Sequence, residues 1–230
     1  MKKLFHHLLN IIYPRTCVSC ETVLNASEKH LCVNCLYTLP KTDSHILPTD
    51  LIERKFWGKL NVKNTYSFLK FTKKGKVQKL LHALKYKNKP ELAEYMGFWY
   101  GTELKALELE HRIDLITGVP LHKEKERIRG YNQADHLAKG LSEALKIPLD
   151  TEILKRNTFT ESQTRRSSRF GRFKNIEGVF TVNDRSKVEG KRIALVDDVL
   201  TTGATLEVAG AALLESGCSE IYIITIASAY

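Results

Sequence analysis

No apolar run in this 230-residue chain approaches the roughly 20 residues that a membrane-spanning helix needs. A helical membrane protein is therefore not expected. The opening stretch, Met1-Lys-Lys-Leu-Phe-His-His-Leu-Leu-Asn-Ile-Ile-Tyr13, also lacks what a secretory signal requires. His6, His7 and Asn10 interrupt its apolar residues, and no small-residue cleavage site follows. An amphipathic N-terminal helix and a cytoplasmic location are the expectation. Acidic residues are few: 26 Asp and Glu stand against 36 Lys and Arg, a formal net charge of +10. Such a balance suits anionic partners, whether phosphates, nucleic acid or a membrane surface. Cysteine is scarce too, with five in all. The length allows one sizeable α/β domain and a small additional module.

Four of the cysteines fall in two close pairs, Cys17-Val-Ser-Cys20 and Cys32-Val-Asn-Cys35. In a cytoplasmic chain such pairs suggest a metal before disulfides. Each pair can wrap a tight knuckle round one ion, and four thiolates satisfy tetrahedral Zn²⁺. Unligated thiols in a helical hairpin and an iron–sulfur centre are the competing readings. His30 is a spare ligand that four thiolates make unnecessary. With no open position, the zinc reads as structural, supplying folding energy to a polar module over residues 1–50. Pro40 to Pro48 reads as a linker to a second domain over 51–230.

The chain is organised around Lys191-Arg-Ile-Ala-Leu-Val-Asp-Asp-Val-Leu-Thr-Thr-Gly-Ala-Thr205. Ile193 to Val196 form a short apolar run rich in β-branched residues, as a strand covered on both faces should. Asp197 and Asp198 follow where a parallel strand delivers side chains to the carboxyl edge of its sheet, the edge at which open α/β folds bind ligands. Thr201, Thr202, Gly203, Ala204 and Thr205 then offer hydroxyls and approachable amides at the start of a helix, which suits a phosphate. Two carboxylates beside a phosphate cradle call for a sugar phosphate. An ordinary strand–helix turn needs one capping residue, not two acids and three threonines.

Around this stretch, periodicity predicts strands at 66–71, 113–119, 152–155, 178–182 and 220–226, and helices from Val77 to about Lys85, Glu91 to Glu110, Tyr131 to Lys146 and Leu206 to Leu214. Alternating strands and helices give a parallel α/β sheet. Residues 120–130 read as a basic exit loop at the same carboxyl edge. His122, Lys123, Lys125, Arg127 and Arg129 are its candidate anion ligands, partly neutralised by Glu124 and Glu126. Asn157 to Asn175 is a long polar segment of the kind that forms lids. Its Arg165, Arg166 and Arg169 would attract a nucleic-acid backbone. Phe159, Phe170 and Phe173 could stack on bases, though packing is the commoner use of such side chains.

The central stretch resembles the phosphoribosyl-pyrophosphate (PRPP) signature of type I phosphoribosyltransferases. The resemblance implies that Asp197 and Asp198 hold the ribose hydroxyls of Mg²⁺-bound PRPP and that 201–205 grip its 5′-phosphate. Residues 122–129 would form the pyrophosphate loop. Thr160, Gln163, Arg172 and Asn175 would belong to a mobile loop closing over the site. Val119-Pro120, Arg129-Gly-Tyr-Asn-Gln-Ala134, the Leu84-Lys-Tyr86 helix end and the paired cysteines resemble, more narrowly, the ComF family of competence-associated phosphoribosyltransferase-like proteins. That resemblance implies a PRPP-binding protein of DNA uptake in natural transformation. Its expected partners are single-stranded DNA and an uptake helicase at the inner face of the membrane. Thr201 stands where enzymes acting on 6-oxopurines place an acid, and no glutaminase-like stretch supplies ammonia. The alternatives are a phosphoribosyltransferase with an unidentified nitrogenous acceptor and a PRPP-sensing regulator.

Overall fold

The computed structural model describes residues 14–46, 50–157 and 178–229. The expected N-terminal helix lies outside them, as do Thr160, Gln163, Arg165, Arg166, Arg169, Arg172 and Asn175. In chain order the described elements begin with α1 (Val33–Thr38), α2 (Asp50–Glu53), β1 (Asn64–Phe71), α3 (Lys76–Tyr86), α4 (Pro90–Leu104) and β2 (Leu115–Gly118). They continue with α5 (Lys123–Arg129), α6 (Gln133–Leu145), β3 (Leu154–Arg156), β4 (Phe180–Val182), β5 (Arg192–Leu200), α7 (Ala204–Glu215) and β6 (Glu220–Ala229).

Four strands form a parallel sheet in the order β1-β6-β5-β2. The two central strands are buried along most of their length, with apolar runs at Ile193–Val196 and Ile221–Ile224, because helices cover both faces. Alternation along β5 assigns its side chains to opposite layers, as the period of a strand requires. Ala194 and Val196 join a core with Leu80, Leu84, Met96 and Leu137. Ile193 and Leu195 join another with Leu206, Ala209 and Leu213 of α7 and with Ile52 and Phe56. Helices α4 and α6 approach backbone to backbone: a Cβ on Gly97 would overlap the Leu137 carbonyl, and one on Gly140 the Glu94 carbonyl. Pro90 opens α4 at a position where its missing N–H costs nothing.

Several expected boundaries are corrected. Helix α4 stops at Leu104 and gives way to two short 3₁₀ turns, rather than running to Glu110. The basic loop 120–130 contains a seven-residue helix, α5, which His122 caps by accepting from the Glu124 amide. The strands 152–155 and 178–182 contract to β3 and β4, and these pair antiparallel, apart from the main sheet. Pro40 onward is not a free linker in its described part. The Lys70 amide donates to Pro40 O (2.8 Å) and the Thr42 amide to Phe68 O (2.9 Å), so the segment lies along the edge of β1. Cys35, Leu31 and Leu39 share one apolar core with Phe68, Leu69 and Val77, so the cysteine stretch is seated on the sheet domain.

Candidate functional site

Strand β5 builds the centre of the site by outrunning its neighbour. Its pairing with β2 ends at Val196, opposite Gly118, while pairing with β6 continues from Asp197 to Leu200. The acids therefore lie inside the strand, not beyond its end as expected, yet at the position where one side of the sheet opens. Successive strand residues point to opposite faces. Asp198 is buried, and its Oδ2 lies 3.2 Å from Lys85 Nζ at the carboxyl end of α3. Asp197 is half-buried, and its Oδ1 accepts from the Asp198 amide at 2.8 Å. Loss of water, reinforced by the charge of Asp198, pushes the Asp197 carboxyl up to about 7; the Asp198 amide, Lys85 and Arg156 oppose that rise.

Beyond the acids, Thr201 and Thr202 are exposed and Gly203 turns the chain with φ +85°, a conformation that favours glycine. A Cβ on Gly203 would stand 3.1 Å from the Phe56 ring. Helix α7 takes no side-chain cap from Gly203; its Ala204 amide donates to Thr202 Oγ1 at 3.4 Å, and the amides of a helix N-terminus suit an anion. Asp197, Leu200 and residues 201–206 surround a cavity of about 40 Å³. Asp197 and the phosphate-type loop thus meet in one cavity, while Asp198, next on the strand, is turned to Lys85.

The other predicted anion ligands do not converge as a single loop. On α5, Lys123 and Arg127 share one face and Lys125 and Arg129 another, as helical spacing dictates. Lys123 lines a cleft of about 400 Å³ with Pro120, Asn132, Asp135, Lys155 and Arg156. Lys125 and Arg127 are exposed. Arg129 turns back, donating to Gln133 Oε1 at 2.6 Å and lying 5.8 Å from the centre of the Tyr86 ring. Lys85 and Arg156, whose charges reach the acid pair, were not assigned to the site from sequence. Lys85 falls within the Leu84-Lys-Tyr86 motif, and that was the available signal. The Tyr131 hydroxyl, which donates to the Leu84 carbonyl, fixes the end of α3 that delivers it.

At the far edge, Cys17, Cys20, Cys32 and Cys35 bring their Sγ atoms within 4.8 Å of one another. A tetrahedron of Zn–S bonds near 2.3 Å needs sulfurs roughly 3.8 Å apart, and Cys20 and Cys32 already stand at 3.6 Å. The cluster is able to hold one metal ion. Burial pushes the Cys35 thiol up to about 12, a cost that a bound cation would remove. His30 stays out of the cluster and packs against Tyr95, with ring centres 5.3 Å apart. No helix among the described residues is long and apolar enough to cross a membrane.

The chain is similar to several known proteins. The phosphoribosyl transferase domain family matches residues 129–229, from the end of α5 through β6. The DNA utilization protein YhgH of Escherichia coli K12 is 29% identical over 206 residues, covering 86% of this chain and 83% of its own. Competence protein ComFC of Bacillus subtilis is 38% identical over 103 residues, 45% of this chain and 39% of its own. Among solved structures, the glutamine PRPP amidotransferase of B. subtilis superposes with a TM-score of 0.43 at 22% identity, over 62% of this chain and 30% of that one.

Proposed function

We propose that this chain is a phosphoribosyltransferase-like protein of the ComF family, and that it binds PRPP at the β5–α7 junction and serves DNA uptake. The observation that carries the proposal is Asp197, with Asp198 next to it on β5, sharing a cavity with a glycine-turned loop at the start of a helix. In this reading Asp197 and Asp198 take the ribose 2′ and 3′ hydroxyls, and residues 201–205 take the 5′-phosphate. The diphosphate lies toward His122, Lys123, Lys125, Arg127 and Arg129, with Lys155 and Arg156 added from β3. Two carboxylates at one edge suit a hard divalent cation; Mg²⁺, when bound with PRPP, would neutralise diphosphate charge. The protein's own share is positioning and electrostatics: Asp198 is held by Lys85, and the amides of α7 face the ligand without needing to reorganise.

The four-cysteine cluster supports a structural Zn²⁺ in a module over residues 1–50, attached to a phosphoribosyltransferase-like domain over 51–230. DNA uptake is supported by the names of the relatives and by the net charge of +10. Single-stranded DNA would meet Arg165, Arg166 and Arg169, next to a lid bearing Thr160, Gln163, Arg172 and Asn175. A helicase partner and attachment at the inner face of the membrane follow from the family resemblance. A gel-shift with single-stranded DNA should weaken when the three arginines are neutralised; unchanged binding would remove that contact surface.

A second reading is turnover, with pyrophosphate leaving ribose C1 as a nitrogenous acceptor attacks it. The intact acid pair favours it. Pyrophosphate release in the presence of PRPP, Mg²⁺ and a panel of nitrogen bases tests it, and a single positive base would establish it.

A further inference from the structure

The phosphate-type loop is held from outside its own motif, by the segment that follows α2. Lys55 is half-buried there, and its Nζ donates to the Thr201 carbonyl at 2.5 Å and to the Ala229 carbonyl at the end of β6. The next residue, Phe56, is buried against the Gly203 turn. Burial alone holds the Lys55 ammonium below its ordinary pKa, so this cation sits where solvation is poor and carbonyl dipoles stand in for water. One side chain therefore ties three things together: the hood-like segment 50–60, the last strand and the first residue of the loop.

The consequence follows from peptide geometry. No peptide bond among the described residues is cis, and a trans unit points its N–H away from its C=O. With the Thr201 carbonyl engaged by the ammonium, the Thr202 amide of the same unit is directed to the opposite side. Thr202 lines the cavity shared by Asp197 and residues 201–206. A cation on the carbonyl also polarises the unit and strengthens its N–H as a donor. Phe56 restrains the other end of the turn, so neither peptide can flip freely.

We propose that Lys55 is a positioning residue for anion binding, locking the 201–202 peptide so that its amide faces an incoming phosphate monoester. It acts through the peptide and not by touching the ligand. The inference rests on the reading of 201–205 as the 5′-phosphate loop.

Calorimetric titration of ribose 5-phosphate into the full-length wild type, Lys55→Met and Lys55→Arg tests it, with circular dichroism on the same samples. One charge-assisted hydrogen bond lost from the anchor predicts affinity about ten- to thirtyfold weaker in Lys55→Met. Lys55→Arg, which keeps the charge and can reach both carbonyls, should recover most of it. A folded Lys55→Met that binds as tightly as wild type overturns the proposal, even if its melting temperature falls. So does a Lys55→Arg that binds no better than Lys55→Met. Should Lys55→Met not fold, Lys55→Gln takes its place under the same criteria. A wild type that does not bind ribose 5-phosphate refutes the phosphate-loop reading itself, and this inference with it; the two failures are told apart by which protein is silent.

Discussion

Replacing Asp197 by Asn should stabilise the protein without PRPP while abolishing the binding of PRPP. The carboxyl is pushed from an ordinary value of 3.8 up to about 7, first by desolvation and then by the Asp198 charge. A shift of that size corresponds to roughly 4 kcal/mol between the two protonation states. Asp197 keeps some contact with solvent, so about 2 kcal/mol is the working figure. The sign follows from linkage: a group whose folded pKa is raised contributes most stability below its unfolded value, and that contribution is lost as pH rises through the folded value. The ionised site is therefore the less stable one. Asn keeps an oxygen to accept from the Asp198 amide, leaves Lys85 with Asp198, and carries no charge. Urea unfolding of metal-loaded protein should show Asp197→Asn more stable than wild type by about 2 kcal/mol at pH 8, with the gap closing toward pH 4. A variant less stable at pH 8, or a gap independent of pH, would refute the claim that the acid pair is held at a cost to the fold.

The remaining predictions use the same assays. Lys85→Met leaves Asp198 buried without its 3.2 Å partner; it should cost about 3 kcal/mol at pH 8, most of it recovered when Asp198→Asn is added. Gly203→Val places a β-branched residue at φ +85° against Phe56 and should cost at least 2 kcal/mol while weakening ribose 5-phosphate binding; an unperturbed variant would contradict the turn geometry. Cys35→Ser should lower bound zinc, read by atomic absorption, below the one equivalent expected of wild type, and chelation should unfold wild type at lower urea. Asp114 is held down at about 2 by the Arg192 guanidinium, which donates to it at 2.8 Å. Asp114→Asn should therefore cost about 1 kcal/mol at pH 7, and its cost should shrink as pH falls through about 2.

What could be read from sequence was what local chemistry writes into neighbouring residues. The acid pair, the threonine–glycine turn and the cysteine pairs each occupy a few consecutive positions, and the structure keeps each set together. The parallel sheet was legible because β5 and β6 are buried on both faces and so carry unbroken apolar runs. Strand ends were less legible: β5 continues to Leu200 because β6 goes on pairing with it, a fact of tertiary structure that the polarity of Asp197 and Asp198 concealed. The α5 helix was hidden by its charge, since Lys123 to Arg129 has a single apolar residue, the exposed Ile128. Lys85 and Lys55 could not have been placed from spacing. Each reaches the site across more than a hundred residues of sequence, and one lysine among many gives no periodic signal.

The central claim is that the β5–α7 junction binds PRPP through Asp197 and Asp198. Calorimetric titration of PRPP with Mg²⁺ into wild type and into Asp197→Asn/Asp198→Asn tests it most directly. The account predicts saturable one-site binding by the wild type and at least a hundredfold loss in the double variant, roughly 3 kcal/mol. Equal affinity in the two proteins, or no binding by a folded, metal-loaded wild type, would contradict it.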